Sequence, residues 1–128
     1  MTRIRTKKSS DMLRANDFAG VKFVFLDRDG VINRKPPEGS YVMSWSELEI
    51  LPGVERAIAT LNQTSHRVIV MTNQRGIALG RYSEPELLFI HEKLRAHLSN
   101  FGAHLDAVYF CPHDLGQCNC RKPGIALF

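Results

Sequence analysis

Lys22-Phe-Val-Phe-Leu-Asp-Arg-Asp-Gly-Val31 is the stretch whose reading decides the fold. Its apolar residues, Phe23 to Leu26, give way abruptly to charged residues and Gly30, the profile of a buried strand that stops at a polar loop. Downstream, Arg67-Val-Ile-Val-Met71 repeats that profile and runs into Thr72-Asn73-Gln74-Arg75-Gly76, and Ala107-Val-Tyr-Phe110 makes a third apolar run. Between the first two runs, Asn33 to Leu51 holds adjacent prolines, a glycine and scattered aromatics, which predicts an irregular excursion with at most short strands, placed at the rim of a site. Pro52-Gly53 then leads into Val54 to Asn62, where Val54, Ile58 and Leu61 recur at helical spacing. Ser83 with Glu86 forms a capping box, and Leu87, Ile90, Leu94, Leu98 and Phe101 are expected on the inner face of a helix reaching about Asn100.

Strands separated by helical segments predict right-handed crossovers, hence an α/β fold with a Rossmann-like parallel sheet and flanking helices covering its faces. In such sheets ligands gather beyond the carboxyl ends of the strands, which is where each polar cluster falls. The chain has 128 residues and is 44% hydrophobic, enough for one core and too short for a second domain of comparable size.

The formal charge of +4 sits in the first sixteen residues, where Arg3, Arg5, Lys7, Lys8 and Arg14 face only Asp11. Residues 1–17 therefore read as a basic, solvated tail, and 18–128 as the domain, which is neutral and argues against a nucleic-acid partner. No apolar run reaches about 18 residues and no secretory core is present, so neither membrane insertion nor export is expected, and a cytoplasmic location follows.

Asp27 and Asp29, two residues apart at a strand end, can project into one mouth of the sheet. Neighbouring carboxylates divide labour when their environments differ. Asp27 would attack phosphorus, while Asp29 would protonate the departing alkoxide and then deprotonate the hydrolytic water. Mg²⁺ on Asp27 and Asp29 would offset the repulsion between carboxylate and phosphate, and Gly30 would let backbone amides approach the phosphoryl oxygens.

A second constellation closes the chain. Cys111, His113, Cys118 and Cys120 place three thiolates and an imidazole within ten residues, the donor set of tetrahedral Zn²⁺. Every cysteine of the chain lies in this loop, 111–120, so a metal site in a reducing compartment is favoured over disulfides. Four protein ligands leave no position for water or substrate, which marks the zinc as structural.

The strand followed by Asp-x-Asp-Gly-Val resembles the first signature of the haloacid dehalogenase superfamily of phosphatases. On that resemblance Thr72 stands at the family's phosphate-binding hydroxyl, beside Asn73 and Gln74, and Arg121-Lys122-Pro123 resembles the third motif, with Lys122 as the cation on phosphate and Arg121 toward the distal part of the substrate. The zinc loop running into Arg-Lys-Pro is similar to the branch that holds the heptose bisphosphate phosphatases and histidinol-phosphate phosphatases. Asn33, Tyr41-Val42 and Pro52-Gly53-Val54 favour the heptose type, and the short gap between His113 and Cys118 leans to the histidinol type. Arg75 replaces the family's serine and puts a cation near the substrate.

The resemblance implies a magnesium-dependent phosphatase acting on a small sugar phosphate through an aspartyl-phosphate. It also implies that the C-terminal strands and the acidic fourth motif are missing after Lys122. The first strand is then expected as a sheet edge open to self-association, with weak magnesium binding and poor turnover. A catalytically weak, zinc-stabilised interaction module is the alternative.

Overall fold

The computed structural model describes residues 20–114. Strand β1 (Lys22–Leu26) is followed by a 3-10 turn at Trp45–Glu47, helix α1 (Val54–Asn62), strand β2 (His66–Asn73), helix α2 (Glu84–Ser99) and strand β3 (Ala107–Cys111). The expected tail, and Cys118, Cys120, Arg121 and Lys122 of the C-terminal segment, lie outside the described residues.

The three strands form one parallel sheet in the order β1-β2-β3, with Leu26 opposite Val70 and Thr72 opposite Phe110. Strand β2 extends further than the apolar run alone suggests. Thr72 and Asn73 belong to it because both remain paired to β3, so the hydroxyl of Thr72 is carried on a strand and not on a loop.

Flanking helices are present, although within the described residues both pack on the same face. Val68, Val70 and Val108 of the sheet meet Ile58 of α1 and Leu94 and Leu98 of α2 in one core, which Ile32, just before the excursion, also joins. The cause is topological: two successive right-handed crossovers stepping the same way across a sheet put both helices on one side. Alternate residues Ile69, Met71, Ala107, Tyr109 and Cys111 line the opposite face and are also buried.

Helix α2 starts as its sequence demands, with the Ser83 side chain accepting from the Glu86 backbone N–H and the Glu86 carboxylate accepting from that of Ser83. Its end differs from the expected stripe. Phe101 is 54% exposed, since the helix stops at Ser99 and the chain turns at Gly102. The buried face is Leu87, Ile90, His91, Leu94 and Leu98, with a histidine among the leucines.

The excursion from Asn33 to Leu51 is irregular, as expected. It returns on itself through Arg34 N–H to the Glu49 carbonyl at 2.8 Å and Leu51 N–H to the Ile32 carbonyl at 2.9 Å. None of the described helices is long and apolar enough to cross a membrane.

Candidate active site

Parallel pairing puts the carboxyl ends of all three strands on one edge, and that edge carries Asp27 to Gly30, Thr72 to Arg75 and Cys111 to Asp114. The first of these segments is a tight turn. The Arg28 carbonyl accepts from the N–H groups of Val31, Ile32 and Asn33 at 3.1, 2.8 and 3.1 Å, and Gly30 takes φ +91°, a left-handed conformation that a side chain would strain. The turn brings the chain back against the second of the two aspartates, with Asn33 bridged to Asp29.

Between them, Arg28 has the role that its position as a mere spacer conceals. Its side chain is 0% exposed, yet it carries a charge, so burial is tolerable only with partners. It finds them at once: Nε and Nη2 donate to Oδ1 of Asp29 at 2.9 and 2.8 Å, and Nη1 donates to Nε2 of His91 at 3.2 Å. Asn33 Nδ2 donates to the same Asp29 oxygen at 3.0 Å. One oxygen of Asp29 is thus fixed by three donors from behind, while a quarter of its side chain remains exposed. Asp27 is partly buried, and its Oδ1 accepts from the Arg28 backbone N–H at 2.8 Å.

A second buried chain serves Thr72. The Tyr82 hydroxyl donates to Oε1 of Gln74, and Gln74 Nε2 donates to Thr72 Oγ1 at 2.9 Å. That bond uses an acceptor lone pair of Thr72 and leaves its hydroxyl proton to be donated. The Asn73 carbonyl, to which the hydroxyl can donate, is 3.5 Å away, too far to compete with an anion in hydrogen-bond range.

Gln74, expected among the substrate-binding residues, is 2% exposed and spans Tyr82 and Thr72, which makes it a positioning link. Burial raises the Tyr82 phenol well above its usual range, so it remains a donor throughout the physiological range. Gly76 permits this packing, because a Cβ there would fall 2.3 Å from Cε1 of Tyr82. Asn73, at the last position of β2, is half-buried beside Thr72.

Arg75 pairs with Asp114, joining the loop after β2 to the loop after β3. This carboxylate raises the Arg75 guanidinium above its ordinary value. Tyr41, from the excursion, faces the same corner and lies under the Arg81 guanidinium at 6.0 Å. The excursion therefore contributes to the rim, as its composition suggested.

Of the four expected zinc ligands, two are described. Cys111 Sγ is buried and lies 3.7 Å from Nδ1 of His113. Zinc bonds of about 2.3 Å to sulfur and 2.05 Å to nitrogen at a tetrahedral angle require roughly 3.6 Å between the two donors, so this pair fits one ion. Among the described residues no group of three or more ligand side chains stands together. For magnesium, the oxygen-only donor set at Asp27 and Asp29 suits a hard cation.

The structure therefore brings Asp27, Asp29, Gly30, Thr72, Asn73 and Arg75 to one edge of the sheet, with Gln74 behind them. Sequence reasoning missed Arg28 and His91. The available signals were a charged residue following a buried strand and a histidine in register with a leucine stripe.

Comparison with known proteins gives a consistent set of relatives, although no family model matches. The chain is 43% identical over 101 residues to a Mycobacterium tuberculosis D-glycero-alpha-D-manno-heptose-1,7-bisphosphate 7-phosphatase, covering 78% of this chain and 53% of that protein. It is 36% identical over 117 residues to a Thermoplasma acidophilum protein named Probable D-glycero-D-manno-heptose-1,7-bisphosphate 7-phosphatase, covering 91% of this chain and 71% of the other. In three dimensions it superposes on the crystal structure of the Bordetella bronchiseptica D,D-heptose 1,7-bisphosphate phosphatase complexed with magnesium and phosphate. The TM-score is 0.77 at 40% identity, over 81% of this chain and 57% of that one. The chain thus spans little more than half the length of most of the curated relatives it matches.

Proposed function

Because the chain belongs to the D-glycero-D-manno-heptose-1,7-bisphosphate 7-phosphatase family, within the haloacid dehalogenase superfamily, we propose that its site hydrolyses a phosphomonoester of that heptose bisphosphate type. The observation that carries the proposal is the Asp27-Arg28-Asp29 arrangement, in which a buried guanidinium pins the second carboxylate beside the first.

A carboxylate oxygen of Asp27 attacks phosphorus, and the bond to the sugar oxygen breaks as Asp29 gives that oxygen its proton. The products are an aspartyl-phosphate on Asp27 and the free alcohol. Asp29, now a carboxylate, takes a proton from a water that attacks phosphorus, which releases phosphate and regenerates both side chains. Mg²⁺ held by Asp27 and the Asp29 main-chain carbonyl would supply charge neutralisation at the phosphoryl group. Thr72 donates its hydroxyl proton to a phosphoryl oxygen, with Asn73 as a further donor; the N–H groups of Gly30, Val31 and Ile32, expected to face phosphate, donate instead to the Asn33 and Arg28 carbonyls. Lys122 is assigned the fixed cation, and Arg75 and Arg121 the distal phosphate end of the substrate.

Zn²⁺ on Cys111, His113, Cys118 and Cys120 would brace the segment that leads to Arg121 and Lys122. The Cys111 to His113 spacing supports this. The names of the relatives weigh toward the heptose substrate over histidinol phosphate. A cytoplasmic location and pairing of chains along the β1 edge, where Phe25 is 53% exposed, complete the reading.

The test is phosphate release from D-glycero-D-manno-heptose 1,7-bisphosphate with Mg²⁺, using the chain and its Asp27→Asn variant. The expected result is release by the native chain and a loss of about a thousandfold or more in the variant, with the fold and substrate binding kept. Equal turnover by the two proteins would overturn the assignment.

A further inference from the structure

We infer that His91 is a positioning residue for the Asp29 acid, acting through Arg28. The inference rests on the proposed phosphatase reading and deepens it. Three observations carry it. His91 lies on the inner face of α2 among Leu87, Ile90 and Leu94, where an apolar side chain would pack without any polar atom to satisfy. Its Nε2 is 3.2 Å from Nη1 of Arg28. Arg28 is itself fully buried, and each of its other two nitrogens, Nε and Nη2, donates to one oxygen of Asp29.

A guanidinium has donors and no acceptor, so Nε2 must receive this hydrogen bond and carries no proton. The ring is held as the neutral tautomer with its proton on Nδ1. An acceptor at that point fixes the rotation of the planar guanidinium about its long axis. With Nη1 anchored on the helix, Nε and Nη2 are aimed together at Asp29 Oδ1, and the carboxylate is set in one rotamer. An apolar residue at position 91 would fill the space and leave Nη1 without its acceptor, so the guanidinium would be free to turn away. The acid would then be present but no longer aligned with the leaving oxygen, and misalignment of this kind lowers the rate of the chemical step while leaving ground-state binding intact.

The experiment compares the native chain with His91→Gln and His91→Leu. The glutamine carbonyl reaches about as far as Nε2 and can accept from Arg28, whereas leucine cannot. In the native chain, ¹⁵N spectra at neutral pH are expected to show an unprotonated Nε2, and the Arg28 side-chain N–H groups are expected to exchange slowly. His91→Leu should speed Arg28 N–H exchange and lower kcat by about 10- to 100-fold with KM unchanged. His91→Gln should restore slow exchange and most of kcat. A protonated Nε2 in the native chain, or Arg28 exchange in His91→Leu equal to native, overturns the inference. So does a leucine variant that raises KM alone. If the native chain releases no phosphate from the heptose bisphosphate, the phosphatase reading fails, and the exchange comparison still decides whether His91 holds Arg28.

Discussion

Gly76 shows how a residue with no side chain can control the orientation of another. The Tyr82 ring occupies the space a Cβ would need, and Tyr82 holds Gln74, which in turn orients Thr72. Gly76→Ala is therefore expected to displace the ring and cost about 1–3 kcal/mol by overpacking, read as a lower urea midpoint at constant m-value. Weakened inorganic phosphate binding should accompany it, because Thr72 loses its fixed orientation.

At this scale the sequence was only half legible. Asp27 and Asp29 were readable as candidates from their type and their position at a strand end, and Thr72 from the family resemblance. Arg28 and His91 were not, because each is recognisable only through the other. They are 63 positions apart, so the local sequence around either one does not announce the pair. Gln74 was given the substrate when its amide in fact faces Tyr82 and Thr72, a distinction of side-chain direction that composition does not contain.

Helices α1 and α2 behave largely as their patterns require, and their junctions can be tested singly. The capping box of α2 satisfies two backbone donors, so Ser83→Ala should cost about 1 kcal/mol in chemical denaturation. The two helices are also tied by His97 Nε2 to Glu55 Oε2 at 2.8 Å, and this hydrogen bond lowers the Glu55 carboxyl below its ordinary value. A depressed folded value stabilises above the unfolded carboxylate range, and the contribution is lost as the pH falls through the lowered value. Wild type should thus exceed Glu55→Gln in stability by less than about 1 kcal/mol near neutrality, and the difference should vanish in acid. Denaturation of both proteins across that pH range checks it. The capping box and the apolar stripe could be read in advance because both depend on residues three or four apart. Exposure of Phe101 could not, since it depends on where the chain leaves the helix.

For the molecule as a whole, the order β1-β2-β3 places three polar segments on one edge and both described helices on one face. The proposed zinc would stiffen that edge beyond β3. Elemental analysis is expected to find one zinc per chain, and Co²⁺ substitution should give a thiolate charge-transfer band that Cys111→Ser weakens or abolishes. Removal of zinc by a chelator should lower the thermal midpoint, and an unchanged midpoint would remove the ion from the account.

What this protein's sequence determined by itself is the set of strands and helices, the parallel sheet and the chemical types gathered at its strand ends. Each of these follows from hydrophobic period and from residues near one another in the chain. Only the tertiary structure decided that both described helices share a face, that Thr72 rides on a strand, and that a buried arginine joins α2 to Asp29. Those outcomes depend on crossover handedness, on register with β3 and on a hydrogen bond between Arg28 and His91, which lie far apart until the chain folds.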